Sequence, residues 1–336
     1  MELRAPGKKD RTLAPIRTNS QTAMQYERAL RKAVANMQAS YEWWIGARYR
    51  VALESNVDAG RLAPQMAEDA KDTRETPAGS ATDLFSELAR LRDYWSDYFE
   101  KFAEKLADQM AGKWYRENST AWETTLKRAG FDIPMQLTPS QRLILKAKVP
   151  ENVSLIRSVQ QDYHKDIEGI VSRDFLKGRD LAAMSEAIAK RGGVTQTRAA
   201  FIAHDQANKA TAQMNAARQR ELGIQYCVWI HSSAGKEPRA THVRAGREQW
   251  VFKADQGIDF GDQFHEVLPG EAINCRCTSR SIIPAIGRGD IESDEDLTPV
   301  PGFPGAYRAK AGKSAGPKQK MDVTKTRVNG EPVKYS

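Results

Sequence analysis

The sequence predicts an α+β fold that is predominantly α: a long-helix N-terminal region, then a helical stem and a small mixed α+β C-terminal module, flanked by disordered basic arms. Three observations carry this. Apolar residues recur every three or four positions over most of residues 20–222. The stretch 224–231 is instead rich in β-branched and aromatic residues. Both ends are polar, and the last one intersperses proline and glycine among its charges. The expected division is a basic arm over 1–19, an α-helical docking region over 20–149, a C-terminal domain over 150–285 and an acidic-then-basic tail over 286–336.

In order, Ser20 is the expected N-cap of a first helix whose stripe is Tyr26, Leu30, Val34, Met37, Tyr41 and Trp44. Residues 56–81 are small and charged and read as a linker. Asp83 is placed to cap a second helix with Leu84, Leu88, Leu91, Trp95, Phe99, Phe102 and Leu106 on one face, continuing past Trp114 and Trp122 towards Gly130. Thr138-Pro139 opens a short helix expected to end before Pro150. Residues 152–175 then repeat Ile156, Val159, Tyr163, Ile167 and Val171 at helical spacing. A short helix through Leu181, Met184 and Ile188 is expected to end at Gly192-Gly193, before a longer one from about Thr195 to Leu222 with Gly223 at its end. Ile224–His231 reads as a strand. Cys275-Arg276-Cys277 is expected on a second extended segment, which would point both thiols to one face.

The 336 residues are long enough for two domains, and the chain carries a net charge of +8. Residues 301–336 hold +6 of it, behind an acidic cluster of Asp290, Glu292, Asp294, Glu295 and Asp296. Arg308, Lys310, Lys313, Lys318, Lys320, Lys325 and Arg327 are therefore the candidate contacts to duplex DNA, because lysine and arginine displace condensed counterions whatever the base sequence. No run approaches the ~18 apolar residues of a membrane span, so no membrane partner is expected. The N-terminus lacks the apolar core of a signal peptide. Three cysteines, an odd number, argue against a disulfide framework. Adjacent Trp43 and Trp44 cannot both join one helical stripe, which makes them the candidate partner-docking residues.

Cys275 and Cys277 have two readings. One is a zinc site completed by two of His231, His242 and His265, since thiolate and imidazole suit that metal. The other, adopted as the expectation, is that they are small buried hydrophobes and that no cofactor is required. Nucleophile-elbow, metalloprotease and dinucleotide motifs are all missing, so no enzyme is expected. The rival class is a metal-dependent hydrolase or transferase using the C-terminal module.

An ordered series of residues resembles the Mu F-like head morphogenesis domain of tailed bacteriophages. It comprises 151–158, the helix carrying Arg198, Asp205 and Asn208, then 217–224, Trp229, Arg239, His242, Gly246, Pro269-Gly270-Glu271 and Ile273-Asn274-Cys275-Arg276-Cys277. The resemblance covers roughly residues 150–285. It departs in two places: Glu237 alone stands for the acidic residue that members often carry before Arg-x-x-His, and Arg244-Ala245-Gly246 replaces their Leu-Asp-Gly. The resemblance implies a minor capsid protein acting in head assembly and in DNA packaging or delivery. Its implied location is the capsid interior near the portal vertex, after assembly in the host cytoplasm. The implied partners are the phage portal protein, scaffold or major capsid protein, and double-stranded DNA bound without sequence preference.

Overall fold

The computed structural model describes residues 13–58, 81–176, 181–233, 238–261, 265–283, 290–319, 327–328 and 331–332. The fold is α+β and predominantly α. Four long helices come first: α1 (Ser20–Asp58), α2 (Ala81–Arg128), α3 (Pro139–Leu176) and α4 (Leu181–Glu221). There follow β1 (Tyr226–Ile230), α5 (Ala240–Arg247), β2 (Val251–Lys253), β3 (Thr278–Ser281), β4 (Leu297–Pro299), β5 (Tyr307–Ala309), β6 (Arg327–Val328) and β7 (Glu331–Pro332). None of the described helices is long and apolar enough to cross a membrane.

The chain divides into two compact units. One is Met24–Gln109 with Val149–Ala203; the other is Met1–Ala23 with Met110–Lys148 and His204–Ser336. Each of the four long helices contributes to both. The all-helical unit buries the expected stripes: Tyr26 to Tyr41 and on through Ile45 and Tyr49 of α1, Leu84 to Phe99 of α2, Ile156 to Val171 of α3, and Met184, Ile188 and Ala199 of α4. Polar pairs fix how these stripes meet. The Tyr26 hydroxyl donates to Asn152 at 2.9 Å, the Tyr41 hydroxyl meets His164 Nδ1 at 2.9 Å, and Arg198 of α4 pairs with Asp162 and Ser158 of α3.

Two helix breaks expected from the sequence do not occur. α3 continues through Pro150, and α4 continues through Gly192-Gly193, joining what the spacing suggested were two helices. A helical proline forfeits one hydrogen bond and a helical glycine costs about 1 kcal/mol, penalties that a buried stripe of this length outweighs. Gly192 also has a packing reason, since a Cβ there would lie 2.0 Å from Gln38 Nε2. The starts differ as well. Asn19, not Ser20, caps α1, its Oδ1 accepting the Gln21 and Thr22 N–H groups at 2.9 and 3.3 Å, and α2 begins at Ala81, leaving Asp83 inside its first turn. Thr138 Oγ1 does accept the Gln141 N–H, at 3.4 Å. The expected break at Gly178–Asp180 and most of the 56–81 linker lie outside the described residues.

The other unit is built on an antiparallel sheet in the order β3-β1-β2-β5-β4. β1, between β3 and β2, is buried on both sides. Cys227 and Trp229 face a core with Trp122, Leu126, Trp250, Phe252 and Phe260, while Tyr226, Val228 and Ile230 face Val251, Ile282, Ile291, Leu297 and Ala315. Both α2 and α4 end in a Schellman turn. Phe131 N–H bonds Leu126 O at 2.9 Å around Gly130, and Ile224 N–H bonds Gln219 O at 2.8 Å around Gly223, with φ of 94° and 71°.

The expectation of disordered arms fails over the described parts of both. Leu13 and Ile16 of the N-terminal arm are buried in the first of these cores. Residues 290–319 form β4 and β5, and Ile291, Leu297 and Ala315 cover the second face of β1. The physical reason is that these apolar residues sit singly among opposite charges, and those charges pair with each other. Asp294 accepts Lys253 Nζ at 2.7 Å and the Tyr226 hydroxyl at 2.8 Å, and Lys313 Nζ meets Asp296 at 3.0 Å.

Glu248 joins α5 to this segment. Trp250 Nε1 and Arg244 Nε donate to it at 2.8 and 2.9 Å, and Arg308 pairs with it from β5. Burial alone would raise its pKa, but the hydrogen bonds from Arg308, Trp250 and Arg244 prevail and hold the carboxyl down at about 2. A carboxyl depressed on folding stabilises the protein above its ordinary value of about 4.3, and that stabilisation is lost as the pH falls towards 2. Glu248→Gln is therefore expected to lower stability by about 1–2 kcal/mol at pH 7 and to flatten the loss between pH 5 and 2, read by urea unfolding across pH.

Candidate functional site

Most of the residues that carry the family resemblance converge on one buried cluster. His242 lies on the buried face of α5 with Val243, Ala245 and Gly246. That helix comes close because residue 246 has no side chain: a Cβ there would lie 2.6 Å from the Cβ of His231 and 2.9 Å from its backbone nitrogen. Cys275 Sγ then lies 3.5 Å from His242 Nδ1, and Cys277 Sγ lies 3.9 Å from it. Cys275, Cys277 and His242 are 3%, 8% and 3% exposed. Trp229 and Phe260 wall the imidazole, with ring centroids at 4.8 and 4.5 Å.

The two thiols do share one side, though not for the reason expected. Cys275 and Cys277 lie between the turn that ends at Asn274 and the start of β3, not on the strand. Asn274 ahead of them is left-handed, with φ of 57°. One peptide group is held from both ends: Asp205 Oδ1 of α4 accepts the Asn274 N–H at 2.6 Å, and Arg239 Nη1 donates to the Ile273 carbonyl at 3.1 Å. Left-handed backbone costs an ordinary residue roughly 1–2 kcal/mol. A charge-assisted hydrogen bond contributes about 1.5–3 kcal/mol, so the two bonds outweigh the strain and aim the turn. Lys209 Nζ pairs with the same carboxylate at 2.8 Å.

The buried thiols titrate as a pair. The Cys277 thiol donates to Cys275 and, with His242, holds Cys275 well below the usual thiol range in spite of its burial, while burial and the neighbouring Cys275 push Cys277 well above it. The third cysteine, Cys227, is pushed up by burial against the opposing effect of a hydrogen bond with Ser281, and it stands apart on β1.

Of the candidate metal ligands named from the sequence, His242, Cys275 and Cys277 form the group with metal-ligand spacing among the described residues. His231 is buried beside them, its pKa lowered by that burial, and its Nδ1 accepts the Ser233 N–H at 3.1 Å. His265 is remote in role: it is exposed and paired with Asp259 at 2.9 Å. Glu237 lies outside the described residues. Asn208 and Pro269 line a cleft of about 280 Å³ together with Arg17, His204, Arg276 and Cys277. Arg198 belongs to the other unit, as a clamp between α3 and α4.

Sequence reasoning missed Asn274 as a conformational device, although asparagine tolerates left-handed backbone better than most residues. It also missed Asn215. That side chain accepts from Asn118 and from the Trp122 indole at 2.7 and 3.1 Å and donates to Ile16 O at 3.0 Å, fastening the N-terminal segment to α2 and α4.

The candidate docking and DNA contacts are distributed differently. Trp43 is 64% exposed, whereas Trp44 is half-buried beneath the Arg90 guanidinium at 4.7 Å. In the tail, Arg308 and Lys313 are committed to Glu248 and Asp296, while Lys310 and Lys318 are exposed. Lys320 and Lys325 lie outside the described residues, and Arg327 falls in β6.

Residues 165–280, which contain this whole cluster, match the family described as Phage Mu protein F like protein. This segment is Mu F-like. A protein of Haemophilus influenzae (strain ATCC 51907 / DSM 11121 / KW20 / Rd), described as uncharacterized, is 30% identical over 173 residues. The match takes in 50% of this chain but 36% of that relative, little more than a third of its length. No solved structure matches significantly.

The Mu F-like segment makes a sign-reversing prediction for two helical glycines. A Cβ at Gly193 meets nothing within 4 Å, so Gly193→Ala is expected to stabilise by up to about 1 kcal/mol. Gly246→Ala should instead destabilise by about 1–3 kcal/mol, because α5 must retreat from His231. Equilibrium urea unfolding of both variants reads the two signs.

Proposed function

We propose that this protein is a minor head component of a tailed phage or prophage, acting in head morphogenesis near the portal. In this reading the Mu F-like segment is a rigid module, α1 presents Trp43 to the portal protein, and exposed lysines of the C-terminal segment touch packaged DNA without sequence preference. The observation that carries the reading is the family match over residues 165–280. Trp43 supports the docking face, because an indole left in solvent on a well-packed helix is the kind of anchor that dominates interface energy. Lys310 and Lys318 support the DNA contact, since they are not drawn into the internal pairs that hold Arg308 and Lys313. A structural role is preferred to a hydrolase or transferase because the Cys-His group is buried and includes no carboxylate to serve as a general base.

Co-expression with the portal, scaffold and major capsid proteins of the same phage tests the reading. The full-length chain is expected to co-purify with portal, and Trp43→Ala to weaken that capture at least about tenfold while leaving the melting temperature unchanged. Undiminished capture would remove Trp43 from the interface. Failure of the wild-type protein to associate with any head protein would remove the head assignment itself.

A further inference from the structure

We propose that His242 Nδ1, Cys275 Sγ and Cys277 Sγ bind one zinc ion, leaving the fourth coordination position to a water. With Zn–S near 2.3 Å and Zn–N near 2.05 Å, tetrahedral geometry places a ligating sulfur and nitrogen about 3.6 Å apart. The two separations from Nδ1, 3.5 and 3.9 Å, bracket that value, and all three ligand atoms lie within 4.8 Å of one another. The three ligand atoms are thus already at metal-binding spacing.

The surroundings favour the same occupant. Two backbone N–H groups address the sulfurs, that of Cys277 towards Cys275 and that of Ser232 towards Cys277. Such N–H···S contacts stabilise thiolates and orient them as ligands. Asp205 and Arg239 hold the turn that delivers both cysteines, and Gly246 allows α5 to deliver the histidine. A packing role alone does not explain an imidazole here. The neighbours within hydrogen-bonding range of its Nδ1 are the two sulfurs. Two soft thiolates with one imidazole select zinc over magnesium or calcium, which take oxygen ligands.

His231 is the remaining protein donor nearby, and its chemistry excludes it as the fourth ligand in this arrangement. Its Nδ1 lone pair accepts the Ser233 N–H, which leaves the proton on Nε2 in the neutral ring. The fourth position therefore falls to a water enclosed with the cluster.

Elemental analysis of the purified full-length protein is expected to find about one zinc per chain, reduced at least about tenfold in His242→Ala, Cys275→Ser and Cys277→Ser and retained in Cys227→Ser. Wild-type protein stripped with a chelator should melt at a lower temperature and, on addition of cobalt(II), develop a thiolate-to-metal charge-transfer band and tetrahedral ligand-field bands. The cobalt titration decides the matter if the cysteine variants do not fold. Absence of zinc together with absence of the charge-transfer band in folded protein would overturn the proposal. Full zinc retention in Cys277→Ser would overturn it too, by placing the metal elsewhere.

Discussion

β1 has no solvent face, and the organisation of its unit follows from that. Alternate residues of a strand point to opposite sides, so burying Cys227 and Trp229 requires one layer and burying Tyr226, Val228 and Ile230 requires another. The first layer is helical, supplied by the ends of α2 and α4 through Trp122, Leu126 and Leu222. The second comes from the end of the chain, through Ile291, Leu297 and Ala315. The Cys-His cluster lies against the first layer, sharing Trp229 and Phe260 with it. Its geometry therefore depends on a core that no single segment of sequence builds alone.

The parts of the fold legible in the sequence are those where one residue's environment is set by its helical neighbours. The stripes of α1 to α4, the strand at β1, the Thr138-Pro139 start and the Gly223 stop all follow from local periodicity and capping chemistry. What was not legible depended on partners distant in sequence. Nothing near Gly192 announces that Gln38 will press against it, and Pro150 is tolerated because the stripe beyond it is buried. The tail was read by its charge blocks. Those blocks cancel one another in pairs such as Lys313 with Asp296, and the sparse apolar residues between them decide where the segment goes.

The site divides along the same line. The identities of Asp205, Arg239, His242, Gly246, Cys275 and Cys277 were readable as an ordered series, but the roles of most of them were not. Asp205 and Arg239 act on opposite ends of one peptide group 34 or more residues away in sequence, a relation that no spacing rule contains. Cys-x-Cys suggested a strand, and the two cysteines instead lie between a turn ending at left-handed Asn274 and the start of β3. The choice between His231, His242 and His265 turned on which ring a helix carries inward, which only the packing of α5 determines.

The closing of the C-terminal segment has a consequence for synthesis on the ribosome. Arg280 donates to the carbonyls of Ala315 and Pro317 at 2.9 and 2.7 Å, and Gln319 exchanges hydrogen bonds with the backbone of His231, 88 residues earlier. β1 thus emerges long before its second cover exists, and its Val228 side stays open until translation passes residue 315. At about 5–20 residues per second, that interval lasts several seconds. During it the Val228 side of β1 waits for Ile291, Leu297 and Ala315, so that wait is the step most exposed to misassociation, and a nonsense mutation before Ile291 would release a chain with that side lacking its cover.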